Sequence, residues 1–316
     1  MLKRVLAAAS IAAVALTSAA CNYGGGYNNN PPPNQFHQRL LVANFAAGGT
    51  SSSVVAYTYP LGSSSAPTSI IPGSATGPNG ATGLIEDGAF DLFVADQDSN
   101  AVLGYAPIVG SASAPAITIV NGIHQPQDMT FDSNANFYVA NFSTTLNPTG
   151  TITEYPQSLA STSIPVATLS IGLNGPTSVT FDGASSIFVA NKTAGNVVAY
   201  SIPISGASTP SLTLNNGLTT PVAVGFDLSG FLYVVDNAAN KVDVYTGALG
   251  GNPAPSFAIV NGINQPRYLT FDSNGSLYVS NAGSITVYAQ PVSAASTPLF
   301  TITTGLNKPV GMVVGL

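Results

Sequence analysis

The sequence predicts an all-β chain of six four-stranded antiparallel blades closed in a ring. Three observations predict it. Two prolines separated by 11 positions recur six times with no change of spacing. Short β-rich runs punctuated by Gly, Asn and Asp follow each pair in the same order, with no helical periodicity anywhere among them. The two ends of the chain each hold a different part of one unit. Together these describe a six-bladed β-propeller.

Taken in order, the N-terminus MLKRVLAAASIAAVALTSAAC has two positive charges, an apolar run from Val5 to Leu16, and then small residues. This is the three-part pattern of a secretory signal over 1–20, and the run is too short for a comfortable transmembrane span. The only cysteine, Cys21, directly follows Ala19 and Ala20. That placement resembles bacterial lipoprotein precursors, which implies lipid attachment at Cys21 and a membrane anchor. The other reading is an ordinary cut after Ala20 that leaves a free thiol. In either case the protein is expected outside the cytoplasm. Residues 21–38, CNYGGGYNNNPPPNQFHQ, read as a flexible tether, in which His37 is a solvated linker histidine.

The repeats fill 39–316. The proline pairs are Pro67 and Pro78, Pro115 and Pro126, Pro165 and Pro176, Pro210 and Pro221, Pro255 and Pro266, and Pro298 and Pro309. Five of the six second prolines have a glycine four residues before them, and Ser74 stands there in the first copy. A run ending in Asp comes next (Asp87, Asp132, Asp182, Asp227, Asp272), and nine residues later a run ending in Asn or Asp, as in YVAN at Asn141. A third run carries a tyrosine, from Tyr57 to Tyr288, so each unit is about 46 residues of short strands. A four-stranded sheet with two apolar faces can bury them only against copies of itself. Pro309–Leu316 supplies a first strand alone, and Arg39–Asn44 a second strand without a first. Pairing them closes the ring and removes the exposed edges.

Bulk composition narrows the function. Charged residues are 6% of the chain, against an ordinary figure near 25%, while the 45% of hydrophobic residues excludes disorder from self-repulsion. Net charge is −6, or −8 without Lys3 and Arg4. Nucleic-acid binding rests on neutralising phosphates, so this balance excludes nucleic acid as a partner.

The segments GFLYVVDNAANKVDVYTG (230–247), DLFVADQDSNAVLGYAP (91–107) and SIFVANKTAGNVVAYSIP (186–203) resemble NHL-type propeller repeats. The resemblance implies the fold, and it spans extracellular sensors, scaffolding modules, and metal-dependent enzymes such as streptogramin B lyases and gluconolactonase-like hydrolases. It also implies that the loops joining successive blades share one face with the loops between second and third strands. On that face the expected binding residues are His124, Asp128, Arg267, Tyr268, Asp98 and Lys308. The repeated Asp and Asn residues are expected to cap turns, and the repeated tyrosines to pack between blades. Asp128 and His124 are the one pair of unusual near neighbours able to serve as acid and base, and nothing obvious completes a metal shell around them. The expectation is therefore a non-enzymatic binding or scaffold module, monomeric and without a cofactor. The alternative is a metal-dependent lyase or lactonase, with a divalent cation left open.

Overall fold

The computed structural model describes residues 38–46, 52–73, 77–107, 113–142 and 148–315. The expected signal peptide, Cys21, the tether up to His37, and Ser74 lie outside them. The described chain contains no helix and forms six four-stranded antiparallel sheets. It is a six-bladed β-propeller.

Blade 1 is built from Pro309–Gly315, Arg39–Asn44, Ser53–Thr58 and Ser69–Pro72, named from the inner strand outward. The inner strands of blades 2 to 6 are Ala81–Glu86, Pro126–Phe131, Pro176–Phe181, Pro221–Phe226 and Tyr268–Phe271, and each runs on into the other three strands of its blade. Each inner strand packs against the inner strands of the blades on either side, round the full circle. The expected closure is present: Arg39 pairs with Gly315 and Asn44 with Pro309.

The core lies between the blades. Six apolar clusters fill the six gaps, each drawn from two adjacent blades; Val94 of blade 2 shares one with Leu41 of blade 1, and Val139 of blade 3 another with Phe93 of blade 2. Strands buried on both faces explain why second strands such as LFVAD and FYVAN read as continuous apolar runs rather than alternating ones. The tyrosine of each third strand joins this layer and is 0–2% exposed. Four of them also donate to a carbonyl of the preceding blade: Tyr57 to Thr304, Tyr155 to Asn121, Tyr200 to Ile171 and Tyr288 to Asn261, at 2.5–2.6 Å.

The proline spacing has a physical cause. Gly305 has φ +78°, a backbone region that favours glycine, and a side chain there would run into Pro67 of the next blade. Gly122 and Pro165, Gly172 and Pro210, and Gly262 and Pro298 repeat the contact. In these four pairs the first proline thus locks onto the glycine turn of the blade before it. The second opens the next inner strand in four of the six units, where the missing N–H costs little.

Candidate functional site

The repeated polar residues hold the frame. In the turn between first and second strands, the Asp132 carboxylate accepts from the N–H groups of Asn134 and Asn136 at 2.8 and 2.9 Å, and Asp87, Asp182, Asp227 and Asp272 do the same in their own blades. At the far end of the second strand, Asn44, Asp96, Asn141, Asn191, Asp236 and Asn281 are each 0–2% exposed. Each accepts an N–H from the loop that enters its own blade, as Asn141 does from His124 at 2.9 Å and Asp236 from Thr219 at 2.7 Å. Their oxygens face these loops, so the ring of six is a set of caps.

Both kinds of loop share one face. In every blade, the loop after the second strand donates a backbone N–H to a carbonyl of the junction that precedes the inner strand: Phe45 to Lys308, Gln97 to Gly80, Phe142 to Gln125, Lys192 to Gly175, Asn237 to Thr220 and Ala282 to Asn264. This face is the mouth of the ring. The Asp-capped turns lie at the other ends of the strands, on the opposite face.

At the axis the blades stop being alike. A β-bulge follows the opening residue of the inner strand in blades 1 to 5, and the position two residues beyond Pro309, Ala81, Pro126, Pro176, Pro221 and, in blade 6, Pro266 is equivalent across the repeat. It holds Gly311, Gly83, Asp128, Ser178, Ala223 and Tyr268. Five are small. Side chains on the two glycines would strike the neighbouring inner strand: at Gly83 a Cβ would lie 2.7 Å from the Gln127 carbonyl oxygen, and at Gly311 it would overlap that of Thr82. The sixth, Tyr268, crosses the centre from blade 6 and donates its hydroxyl to Asp128 Oδ1 of blade 3 at 2.9 Å. Blades 3 and 6 are diametrically opposed, so this bond bars the central channel.

Asp128 is 1% exposed and surrounded by donors. Besides Tyr268, Oδ2 accepts from the Ser178 hydroxyl at 2.7 Å and from the Val179 N–H at 3.2 Å, and Ser178 Oγ in turn accepts from the Val224 N–H at 3.2 Å. The network ties blades 3, 4, 5 and 6 together. Burial pushes the Asp128 carboxyl up to about 6, against the pull of these donors, and both burial and the facing carboxylate raise the Tyr268 hydroxyl.

The six expected site residues therefore divide. Asp128 and Tyr268 meet at the axis, not on an open binding face. His124 is exposed, and Asp128's hydrogen bonds go to other residues, so the two do not form the acid and base pair that the sequence left open. Lys308 is exposed at the mouth and Asp98 partly so, its carboxyl group lying beside Gly80. Arg267 is partly buried next to Tyr268, and its Nε is buried without a hydrogen-bond partner. Among the described residues no three of His, Cys, Asp and Glu gather as a metal site. Sequence reading missed Ser178 and the two glycines. Their signal was the position two residues after Ala81, Pro126, Pro176, Pro221, Pro266 and Pro309, where every residue but one is small.

No protein-family model and no curated protein matches the chain. Solved structures do. A protein of unknown function from Bacteroides caccae is 12% identical with a TM-score of 0.64, over 88% of this chain and 98% of that one. The periplasmic gluconolactonase PpgL of Pseudomonas aeruginosa is 14% identical with a TM-score of 0.62, over 89% and 99%. A protein of Bacteroides fragilis, named provisionally as a 6-phosphogluconolactonase, is 14% identical with a TM-score of 0.58, over 91% and 100%. The likeness is one of fold.

Proposed function

We propose that the chain is an extracytoplasmic binding module, held to a membrane by lipid on Cys21, that engages its partner through the mouth face without catalysing a reaction. The observation that carries this reading is the division of labour among polar groups. Those common to all blades are occupied in caps, and the axial carboxylate is occupied in a cross-tie. The residues that depart from the repeat at the mouth, His124, Arg267 and Lys308, make no side-chain hydrogen bond to the described protein. Arg39 opens its strand on the face opposite the mouth, so the expected tether would join the propeller on that face and leave the mouth unobstructed by it.

Crosslinking and affinity recovery from intact cells test the reading. Arg267→Ala with Lys308→Ala should abolish recovery of the copurifying partner, and unchanged recovery sinks the proposed face. Palmitate labelling that marks Cys21→Ala as strongly as the natural chain removes the anchor. The likeness to PpgL favours one second reading, a lactone hydrolase. Turnover of glucono-δ-lactone by purified protein, lost in Arg267→Ala, would establish it over the first.

A further inference from the structure

The cations of the described chain are unevenly used. Five are present, and two form ion pairs: Arg39 with Glu86 at 2.7 Å and Lys241 with Asp243 at 2.9 Å. The other three, Lys192, Arg267 and Lys308, all stand on the mouth face. The opposite face carries the five turn aspartates with Glu86 and Asp91, and Arg39 is its one cation. On the mouth face, Asp96 and Asp236 are held by backbone N–H groups and Asp243 by Lys241. Asp128, at the axis beneath this face, is held by the Tyr268 and Ser178 hydroxyls, and Asp98, the remaining carboxylate there, also has a bonded partner.

Arg267 is the pivot. Its equivalents in the other inner strands are Val310, Thr82, Gln127, Thr177 and Val222, all uncharged, so the fold has no need of a cation at this position. A guanidinium keeps its charge at every working pH and presents its donors as a planar fork matched to oxyanions. Here it is partly buried above the Tyr268 bar with Nε enclosed and no acceptor supplied by the described protein. A buried donor left without a partner is costly.

We infer that the mouth takes an oxyanionic ligand, one bearing a carboxylate or a phosphate, with Arg267 as its anchoring donor and Lys308 of the neighbouring junction as a supporting charge. This rests on the mouth being the binding face and names the chemistry it selects. The overall negative charge repels anions at long range, so binding is confined to the one face where cations stand unpaired and weakens as salt is raised.

The Arg267 side-chain Nε–H supplies a direct readout, because its burial protects it from exchange and makes it visible by 15N NMR. The protein is titrated with inorganic phosphate and, separately, with citrate, at ionic strength held constant with sodium chloride. The Arg267 signal should move saturably while that of Arg39, already committed to Glu86, stays fixed. Saturation by phosphate alone indicates a phosphate-bearing ligand, and by citrate alone a carboxylate. Arg267→Gln, followed on backbone amides at the mouth, should weaken binding about tenfold or more, and Lys308→Gln by a smaller factor. An Arg267 signal that responds no more than it does to chloride, or equal affinity in Arg267→Gln, overturns the inference. Should cell recovery yield a partner that ignores Arg267, the oxyanion site falls and the binding module stands. Saturable anion binding at Arg267 with no partner recovered supports the oxyanion site and counts against the module.

Discussion

Replacing Tyr268 by Phe keeps the ring that fills the axis and deletes only the hydroxyl that spans it. The lost bond ends on a buried carboxylate, and hydrogen bonds to charged groups contribute roughly 1.5–3 kcal/mol. For a domain of this size that is a fall in Tm of roughly 3–8 °C. The effect carries a pH signature. With the Asp128 carboxyl at about 6 when folded against an ordinary 3.8, the native state binds more protons than the unfolded chain between those values. Stability from this group is therefore fully present below 3.8 and is lost as pH rises through about 6, a difference of about 3 kcal/mol. Protonation weakens the acceptor, so Tyr268→Phe should cost most at pH 7.5 and clearly less at pH 4.5. Deleting the donor also moves Asp128 titration above 6. Urea unfolding of Tyr268→Phe, Asp128→Asn and the double variant at both pH values measures the coupling. The cross-tie argument fails if the coupling at pH 7.5 is below about 0.5 kcal/mol, or if the Tyr268→Phe cost is the same at both.

Three further outcomes follow from the same geometry. Gly311→Ala forces a methyl onto the Thr82 carbonyl at the closure of the ring and should destabilise by about 2 kcal/mol or more in urea; a loss under about 0.5 kcal/mol would show that the inner strands have room. Lys241→Met strips the partner from Asp243, which is 1% exposed, and should cost about 3–5 kcal/mol at pH 7.5. Because burial pushes the Asp243 carboxyl up to about 6, that cost should shrink by pH 5, and a flat pH dependence would contradict it. Asn141→Ala leaves the His124 N–H and the Thr153 hydroxyl without their partner and should lower stability by about 1–3 kcal/mol, where a change within 0.3 kcal/mol in thermal unfolding would argue against capping.

Blade number, closure and capping were legible in the sequence because each rests on residues that every copy of the unit must share. A glycine turn seated on a proline, or an aspartate accepting the N–H groups two and four residues on, is a local device with one solution. The twin stretches 121–141 and 261–281 agree at 13 of 21 positions for that reason. The axis was not legible in the same way. Asp128 and Tyr268 occupy the same place in those stretches and in sequence look like two solvent-facing departures, when each is the other's partner. Seeing that requires the bulge, which resets which side chains turn inward, and the ring geometry, which sets units three apart face to face. Neither is a property of any single unit. Arg267 is intermediate: its departure from the repeat was visible, but the buried, unpartnered Nε that gives it chemical meaning was not.

The pairing of Arg39–Asn44 with Pro309–Gly315 also orders events in time. Five blades are completed by hairpins between near neighbours in the chain, whereas the partners that finish blade 1 lie between 265 and 276 residues apart. Such distant contacts form slowly, and the cost of bringing the ends together is met only when the intervening blades have already shortened the path. As the chain emerges from its N-terminus, Arg39–Asn44 stays a bare edge, exposed to pairing with other chains, until the final strand arrives. The first strand to be made is the last to be sealed.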